Sequence, residues 1–92
     1  MATLVIPTPL RKFTNGISKV DVEASTIKEA VDGLTQNFPE LRKYLLDEND
    51  KIRTYVNFFV GDDDIRNLKN EETLIKGDTV VSIVPAIAGG II

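Results

Sequence analysis

The sequence predicts a single α+β domain in which one helix packs on one face of a small mixed sheet. Three observations predict this class: a length of 92 residues, a hairpin pattern near the start, and one apolar helical stripe followed by further strands. A helix laid across a sheet lets both apolar surfaces bury each other, which suits a chain this short. We expect the domain to span residues 1–85 and a flexible C-terminal tail to span residues 86–92.

The N-terminal region predicts two antiparallel strands. Thr3–Leu10 and Ile17–Glu23 are rich in strand-forming side chains, and the Asn15-Gly16 pair between them favours the positive φ angles of a tight hairpin turn. Proline has no N–H to donate to a sheet ladder, so the two prolines of the first segment predict that its end lies at an edge or peels away from the sheet.

The stretch after the hairpin predicts one amphipathic helix. Thr26 followed by Glu29 fits a capping box, and apolar residues then recur at spacings of three and four as far as Phe38. The helix should stop before Pro39, because a residue that precedes proline disfavours the helical conformation. A further helical turn or two around Leu41 is expected before a polar loop.

Two β-branched segments predict the other main strands. They are Thr54–Val60 and Thr79–Pro85, and the segment 65–74 between them is expected to be irregular, with short elements only. Four branched aliphatics in the last strand are typical of a strand buried in the middle of a sheet. A right-handed crossover would place the first and last strands near the sheet centre. Together these elements predict a β-grasp fold with four to five strands.

The composition excludes several classes of function. The chain has neither cysteine nor histidine, so it lacks a thiolate nucleophile, the commonest general base and the commonest metal ligand. Its net charge of −3 disfavours nucleic acid and anionic membranes as partners. It shows no bilayer-spanning run and no secretory signal pattern. We therefore expect a cytoplasmic protein that binds no metal and performs no catalysis itself.

A diglycine near the end of the chain is the most informative local feature. Gly89 and Gly90 follow an apolar strand and a proline, and Ile91 and Ile92 come after them. Glycine lacks a Cβ atom, so such a tail can enter a narrow channel in another protein. Extended, the six residues from Pro85 to Gly90 reach roughly 20 Å. The alternative interpretation is a frayed terminus, where glycine is common.

Three segments resemble the ubiquitin-like sulfur carriers of the MoaD/ThiS family. They are Tyr55–Asn57, Leu74–Val80 and, above all, the ending Ile83–Gly90 with its Pro-Ala-aliphatic-Ala-Gly-Gly pattern. Within the family, the likeness is greatest to the carrier of a cysteine pathway. The resemblance implies a ubiquitin-like β-grasp fold and a protein cosubstrate rather than an enzyme.

The resemblance also implies a chemistry for the tail. An E1-like adenylyltransferase would use ATP to adenylate the carboxylate of Gly90. Sulfur transfer would then give a thiocarboxylate that donates sulfur in the biosynthesis of cysteine or a related amino acid. No cofactor is implied for this chain, because ATP is used by the activating partner. The residues implied to thread into that partner are Pro85, Ala86, Ile87, Ala88 and Gly89.

Ile91 and Ile92 depart from the mature ending of the family. The bond between Gly90 and Ile91 must be hydrolysed before Gly90 can present a free carboxylate. Some family members are trimmed by a zinc metalloprotease of the JAMM type, so the resemblance implies such a protease as a partner. It also implies a sulfhydrylase or another sulfur-accepting enzyme. A natural inactive form is the alternative.

Phe59 is a candidate docking residue for the E1-like partner. If Val56 and Phe58 face the helix, Phe59 lies on the opposite face of the sheet. An exposed aromatic side chain there would mark a protein contact. The alternative is that the segment 65–74 covers it.

Other functions stay open on the sequence alone. A MoaD-like chain can be the small subunit of molybdopterin synthase, with its tail inserted into the larger subunit. The remaining class comprises a ubiquitin-like modifier and a structural module without tail chemistry.

Overall fold

The computed structural model describes residues 1–85, which form five strands and two α-helices. In chain order these are β1 (Ala2–Val5), β2 (Lys19–Val22), α1 (Ile27–Asn37), α2 (Arg42–Leu45), β3 (Val56–Val60), β4 (Asp63–Asp64) and β5 (Val80–Pro85). Short 3-10 segments lie at Thr8–Phe13, Pro39–Leu41, Ile65–Asn67 and Asn70–Glu72. The prediction of a flexible tail at 86–92 lies outside the described residues.

The five strands form one mixed sheet in the order β2-β1-β5-β3-β4. β1 pairs antiparallel with β2 and parallel with β5, while β3 pairs antiparallel with both β5 and β4. The first and last strands therefore lie side by side, and β5 is the middle strand. This arrangement confirms the predicted β-grasp fold, with five strands and one main helix packed on the sheet.

The strand predicted over Thr3–Leu10 is wrong in its second half. β1 ends at Val5, and Thr8–Phe13 forms a 3-10 segment. The reason is the pair of prolines: Pro7 and Pro9 have no N–H to donate to β2, while their fixed φ angle suits the start of a helical turn. The expectation that this end of the strand peels away is therefore confirmed.

The Asn15-Gly16 pair has the predicted backbone conformation but not the predicted role. Its φ angles are 56° and 82°, both in the left-handed region. β2 begins only at Lys19, so the pair turns the chain at the end of the 3-10 segment instead of closing a two-residue hairpin. The connection between β1 and β2 is consequently long, and it crosses one end of the sheet.

α1 begins and ends close to where the sequence predicts. The hydroxyl of Thr26 accepts a hydrogen bond from the N–H of Glu29 at 3.2 Å, and the Glu29 carboxylate accepts one from the N–H of Ser25 at 2.8 Å. This is the reciprocal pattern of a capping box, with the return bond shifted by one residue. The helix ends at Asn37, ahead of Pro39.

The hydrophobic core lies between α1 and the inner face of the sheet. Each fully buried valine, leucine, isoleucine or phenylalanine side chain stabilises the fold by about 1.5–3 kcal/mol. Removing the helix would therefore expose the whole inner face of the sheet to water. The main contributors are Ala2, Leu4, Val22, Ile27, Ala30, Val31, Leu34, Val56, Phe58, Val81 and Ile83.

β5 lies in the middle of the sheet, as its aliphatic composition predicts, but it is buried on one face only. Val81 and Ile83 are 0% and 3% exposed, but Val80 and Val84 are 49% and 46% exposed. Side chains alternate between the two faces of a strand, so the two exposed valines share the outer face of the sheet. The middle strand thus has a sealed side and an open side.

Candidate functional site

The middle strand leads directly to the predicted tail. Pro85 is the last residue of β5 and lies opposite Val56, the first residue of β3. β5 is paired with β1 along one edge and with β3 along the other. The backbone that precedes the tail is therefore held from both sides, and the tail begins at the centre of one end of the sheet.

Most of the predicted tail site lies beyond the part of the chain that the structure describes. Pro85, the first of the predicted threading residues, is described and is half-buried. The predictions for adenylation and processing at Gly90, for processing at Ile91, and for threading by the intervening residues stay predictions. Those outside the described residues are Ala86, Ile87, Ala88, Gly89, Gly90 and Ile91.

The outer face of the sheet carries an apolar surface beside the strand that leads to the tail. We call this surface the outer patch, and it consists of Val5, Phe59, Val80 and Val84. Val5 and Phe59 are half-buried, while the two valines of β5 are about half-exposed. The strand register places Val5 and Phe59 on either side of Ser82. The four side chains surround Ser82, whose side chain lies on the same face, and neighbouring strands lie about 4.8 Å apart.

Phe59 faces away from the core, as the alternation in β3 predicts. Val56 and Phe58 are 2% and 1% exposed, so they occupy the inner face, and Phe59 lies on the outer face. It is only half-buried, so the segment after β4 does not cover it completely. Its register neighbours are Ser82 on β5 and Asp64 on β4. The structure therefore leaves this ring accessible on the open side of the sheet.

Polar side chains surround the outer patch. Lys19 lies opposite Val5 on the neighbouring strand, and Asp64 lies opposite Phe59. The hydroxyl of Thr3 donates a hydrogen bond of 2.6 Å to the carboxylate of Asp21 near one edge of the sheet. An apolar cluster bordered by polar side chains is the usual anatomy of a protein-binding surface, and here Ser82 adds one hydroxyl within the cluster.

The sequence analysis identified Phe59 but missed the exposure of Val80 and Val84. The available signal was Ser82, which interrupts the branched aliphatics of β5 with a hydroxyl. A serine that alternates with buried Val81 and Ile83 indicates that the other face of the strand is open.

Asp47 organises the loop that precedes β3. Its Oδ1 atom accepts hydrogen bonds from the N–H groups of Asn49 and Lys51, at 2.8 and 3.1 Å. The bonds from Lys51 and then Asn49 lower the pKa of the Asp47 carboxyl, since both stabilise its charged form. The charged carboxylate therefore supports this turn.

The rest of residues 1–85 offers no metal-binding cluster and contains an open, polar cleft. Across residues 1–85 there is no cluster of three or more acidic, histidine or cysteine side chains that could hold a metal ion. An open cleft of about 620 Å³ lies between the loop before β3 and the segment after β4. Lysine, arginine and glutamate side chains line much of it.

The helices of residues 1–85 are all too short or too polar to span a bilayer.

The profile of the ThiS family matches residues 4–90 of this chain. The match therefore runs from Leu4 within β1 through α1 and the other four strands to the diglycine. It ends at Gly90, so Ile91 and Ile92 follow the matched residues.

Known proteins of similar sequence and structure agree with this match. The sulfur carrier protein CysO of Mycobacterium tuberculosis is 33% identical over 90 residues, which are 96% of this chain and 97% of that protein. A chain of the BexX/CysO complex of Amycolatopsis orientalis superposes with a TM-score of 0.89 at 30% identity, covering 97% of this chain and 99% of the other.

The small archaeal modifier protein 1 of Methanosarcina acetivorans has a TM-score of 0.85 at 20% identity, with 96% of this chain and 94% of that chain covered. At this identity the likeness shows a shared fold and no more. The family match over nearly the whole sequence and the likeness to CysO together show that the chain belongs to the ThiS family of ubiquitin-like proteins.

Proposed function

We propose that this chain is a sulfur carrier that holds sulfur as a thiocarboxylate on Gly90. The observation that carries this proposal is the family match, which runs through the folded domain and ends at Gly90. The 33% identity to a sulfur carrier protein supports it. The middle position of β5 also supports it, because the tail then begins from a strand that is held on both edges.

The composition limits where sulfur could be carried. A carrier with a cysteine could hold sulfur as a persulfide on its thiol, but this chain contains no cysteine. A C-terminal carboxylate can bear sulfur in place of one of its oxygens, through a carbon–sulfur bond. The carboxylate of the tail is therefore the carrier group that we propose.

The proposed reaction has two steps on the carboxylate. An oxygen of the Gly90 carboxylate attacks the α-phosphorus of ATP in the E1-like adenylyltransferase, and pyrophosphate leaves. A hydrosulfide ion then attacks the carbonyl carbon of the acyl-adenylate, AMP leaves with the electron pair of the broken bond, and a thiocarboxylate and a proton are formed. Catalysis belongs to the partner, and this chain acts as a protein cosubstrate that contributes the substrate group.

Removal of Ile91 and Ile92 precedes activation in this proposal. While the Gly90–Ile91 bond is intact, Gly90 has an amide in place of a carboxylate and cannot attack ATP. We assign this hydrolysis to a zinc metalloprotease of the JAMM type. We assign sulfur acceptance to a sulfhydrylase or a similar enzyme that makes cysteine or a related amino acid.

The outer patch provides a docking surface for the activating enzyme in the same proposal. It lies on the strand that leads to the tail and on the two strands beside it. A partner that contacts Phe59 and Val84 would hold the domain while the tail extends into its active site. Apolar contact at the patch would supply affinity, and the tail would supply the reacting group.

ATP–pyrophosphate exchange with the E1-like enzyme tests the proposal. Three forms are compared: the full chain, a chain that ends at Gly90, and a chain that ends at Gly89. We expect exchange with the form that ends at Gly90 and background rates with the full chain. The form that ends at Gly89 is the matched control, because it has a free glycine carboxylate that reaches about 3.5 Å less far.

Equal exchange with the full chain would contradict the need for trimming. Absence of exchange with every form would contradict the carrier role itself. A stable complex with a larger subunit would then favour a molybdopterin synthase subunit, and conjugates of higher mass would favour a modifier.

A further inference from the structure

The arginines of this chain gather at the end of the sheet where β5 finishes. The chain has four, at positions 11, 42, 53 and 66. Arg11 follows β1, which runs parallel to β5, and its Nε atom donates a hydrogen bond of 3.0 Å to the carbonyl of Ile6. Ile6 comes directly after the last residue of β1, so this guanidinium lies beside the C-terminal half of β5.

Arg66 holds the equivalent position on the other side of β5. Its Nη2 atom donates to the carbonyl of Thr54 and, at 3.3 Å, to the carbonyl of Val56. Val56 is the residue that faces Pro85 across the β3–β5 pair. The two arginines therefore flank the strand end from which the tail begins, one through β1 and one through β3.

Arg53 extends the same surface toward α2. It lies three residues before the start of β3, and its Nε atom donates a hydrogen bond of 2.9 Å to the carbonyl of Lys43. Its backbone N–H also bonds to the carbonyl of Leu45 at 2.9 Å, which fixes the segment that enters β3. We call Arg11, Arg53 and Arg66 the arginine rim.

All three guanidinium groups are oriented by main-chain carbonyls and not by carboxylates. The ion pairs found in residues 1–85 are Lys28 with Asp32 and Arg42 with Asp50. A carbonyl is a neutral acceptor, so it fixes the direction of a guanidinium without cancelling its charge. Each guanidinium has five N–H donors in a planar fork, so several donors per arginine stay available for a carboxylate.

The positive charge of the rim stands out against the acidic character of the chain. The net charge is −3, and four of the fourteen acidic residues lie at the opposite end of the sheet, where β2 and β3 end and β5 begins. Of the acids near the rim, Asp50 pairs with Arg42, and Asp47 accepts bonds from its own turn while lying within electrostatic reach of Arg53. Glu71 and Glu72 line the same cleft as Arg66. The residues at the far end are Glu23, Asp62, Asp63 and Asp78.

We propose that the arginine rim binds acidic side chains that border the tail channel of the E1-like partner. The inference rests on the proposed function, and it adds the chemistry of the partner surface. The tail follows Pro85 directly, so a partner that receives the tail in a buried site must cover the end of the sheet that the rim surrounds. A surface rich in aspartate and glutamate complements three fixed guanidinium groups, and such pairing guides encounter and sets orientation.

The test is the KM for the chain ending at Gly90 in ATP–pyrophosphate exchange, measured from about 50 to about 300 mM NaCl. We expect KM to rise with salt and kcat to stay constant, since the rim acts in docking. Each of Arg11→Gln, Arg53→Gln and Arg66→Gln should raise KM about two- to fivefold at low salt, and a change to glutamate should raise it further.

Two variants with the same change of charge serve as controls. Arg42→Gln removes an arginine near the rim that is already paired with Asp50. Lys76→Gln removes a cation near the start of β5, at the far end of the sheet. Both should leave KM within about twofold of the unchanged chain, because screened or distant charges contribute little. Melting curves confirm that each variant is folded.

The outcomes separate the two proposals. Exchange whose KM does not respond to salt or to the three rim substitutions would contradict the role of the rim in docking. It would leave the carrier role intact. Equal changes of KM in the rim variants and in both controls would mean that only the net charge matters. That result would also contradict a specific role of the rim in docking. If the chain ending at Gly90 does not support exchange, both the proposed function and the docking role of the rim are contradicted. The salt dependence of KM is measured on the chain without substitutions. It therefore tests the electrostatic docking even where a variant fails to fold.

Discussion

Phe58 and Phe59 are neighbours in β3 with identical side chains and opposite surroundings. Phe58 is 1% exposed and packs against the core, whereas Phe59 is half-buried on the outer patch between Ser82 and Asp64. β5 repeats the contrast, with Val81 and Ile83 sealed inside and two valines open outside. Alternate positions of the same strand therefore serve different tasks: the inner set holds the fold, and the outer set is free to contact a partner.

The largest expected effect is a loss of stability from a substitution on the inner face of β3. Phe58→Ala should destabilise the domain by about 3–5 kcal/mol, because it leaves a cavity in a closed core. That loss is a large fraction of the free energy of unfolding of a typical domain, which is about 5–15 kcal/mol. Urea unfolding followed by circular dichroism measures it. A loss below about 1 kcal/mol would mean that the inner face is not the stabilising one.

The matched change on the outer side is Phe59→Ala. We expect the domain to remain folded and KM in the exchange assay to rise about tenfold, which corresponds to about 1.4 kcal/mol of docking free energy. Val60→Ala, on the same strand but packed against the core, is the control that should lower stability without a comparable change in KM. An unchanged KM for Phe59→Ala in a folded protein would remove the outer patch from the docking surface.

A smaller effect is expected at the start of α1, the helix that seals the inner face. Thr26→Ala removes the hydroxyl that accepts from the N–H of Glu29, so it should cost about 1 kcal/mol of stability. Thr26→Ser keeps that acceptor and should cost much less. Thermal unfolding compares the two variants, and equal losses would show that the hydroxyl is not what caps the helix.

The smallest effect is expected at Asp47, which belongs to neither face. Folding lowers the pKa of its carboxyl, chiefly through the N–H of Lys51 and then that of Asn49, so the bonds stabilise the fold while it is ionised. This contribution is complete above the unfolded pKa of about 3.9 and is lost as pH falls through the lower folded value.

Asp47→Asn should therefore lower the melting temperature slightly at about pH 6 and leave it nearly unchanged at about pH 2.5. The measurement is thermal unfolding of both proteins at the two pH values. A gap between variant and unchanged protein that widens toward low pH would contradict the assigned direction of the pKa shift. The exchange KM should agree within about twofold for the two proteins, because this turn lies outside the outer patch and exposed Asp47 is only a minor electrostatic neighbour of Arg53.

The parts of the fold that sequence predicts well are those encoded locally. The capping residues and the apolar stripe of α1 predict that helix. Branched side chains predict the positions of β3 and β5. The departure of the chain from the sheet after β1 also follows from local chemistry, because Pro7 and Pro9 have no N–H to donate. The prolines favour the start of a helical turn, but the extent of the 3-10 segment to Phe13 also depends on the burial of Leu10 in the core.

The candidate site is harder to predict because its properties depend on contacts between distant segments. Whether β5 is buried on one face or two depends on what covers it, and that is not written in the strand. The arginine rim depends on bonds such as that from Arg66 to the carbonyl of Thr54, twelve positions away. The diglycine, in contrast, is visible in the sequence, and its predicted chemistry at Gly90 stays a prediction.

The intact mass of the protein isolated from its own cells, without added reductant, tests the central claim most directly. The account predicts a form shorter by Ile91 and Ile92, with a fraction in which sulfur has replaced one oxygen of the terminal carboxylate. That fraction should shift back to the oxygen form after the sulfur acceptor is supplied. A full-length mass alone, in both sulfur-replete and sulfur-starved cells, would contradict trimming and, with it, the proposal that Gly90 carries sulfur.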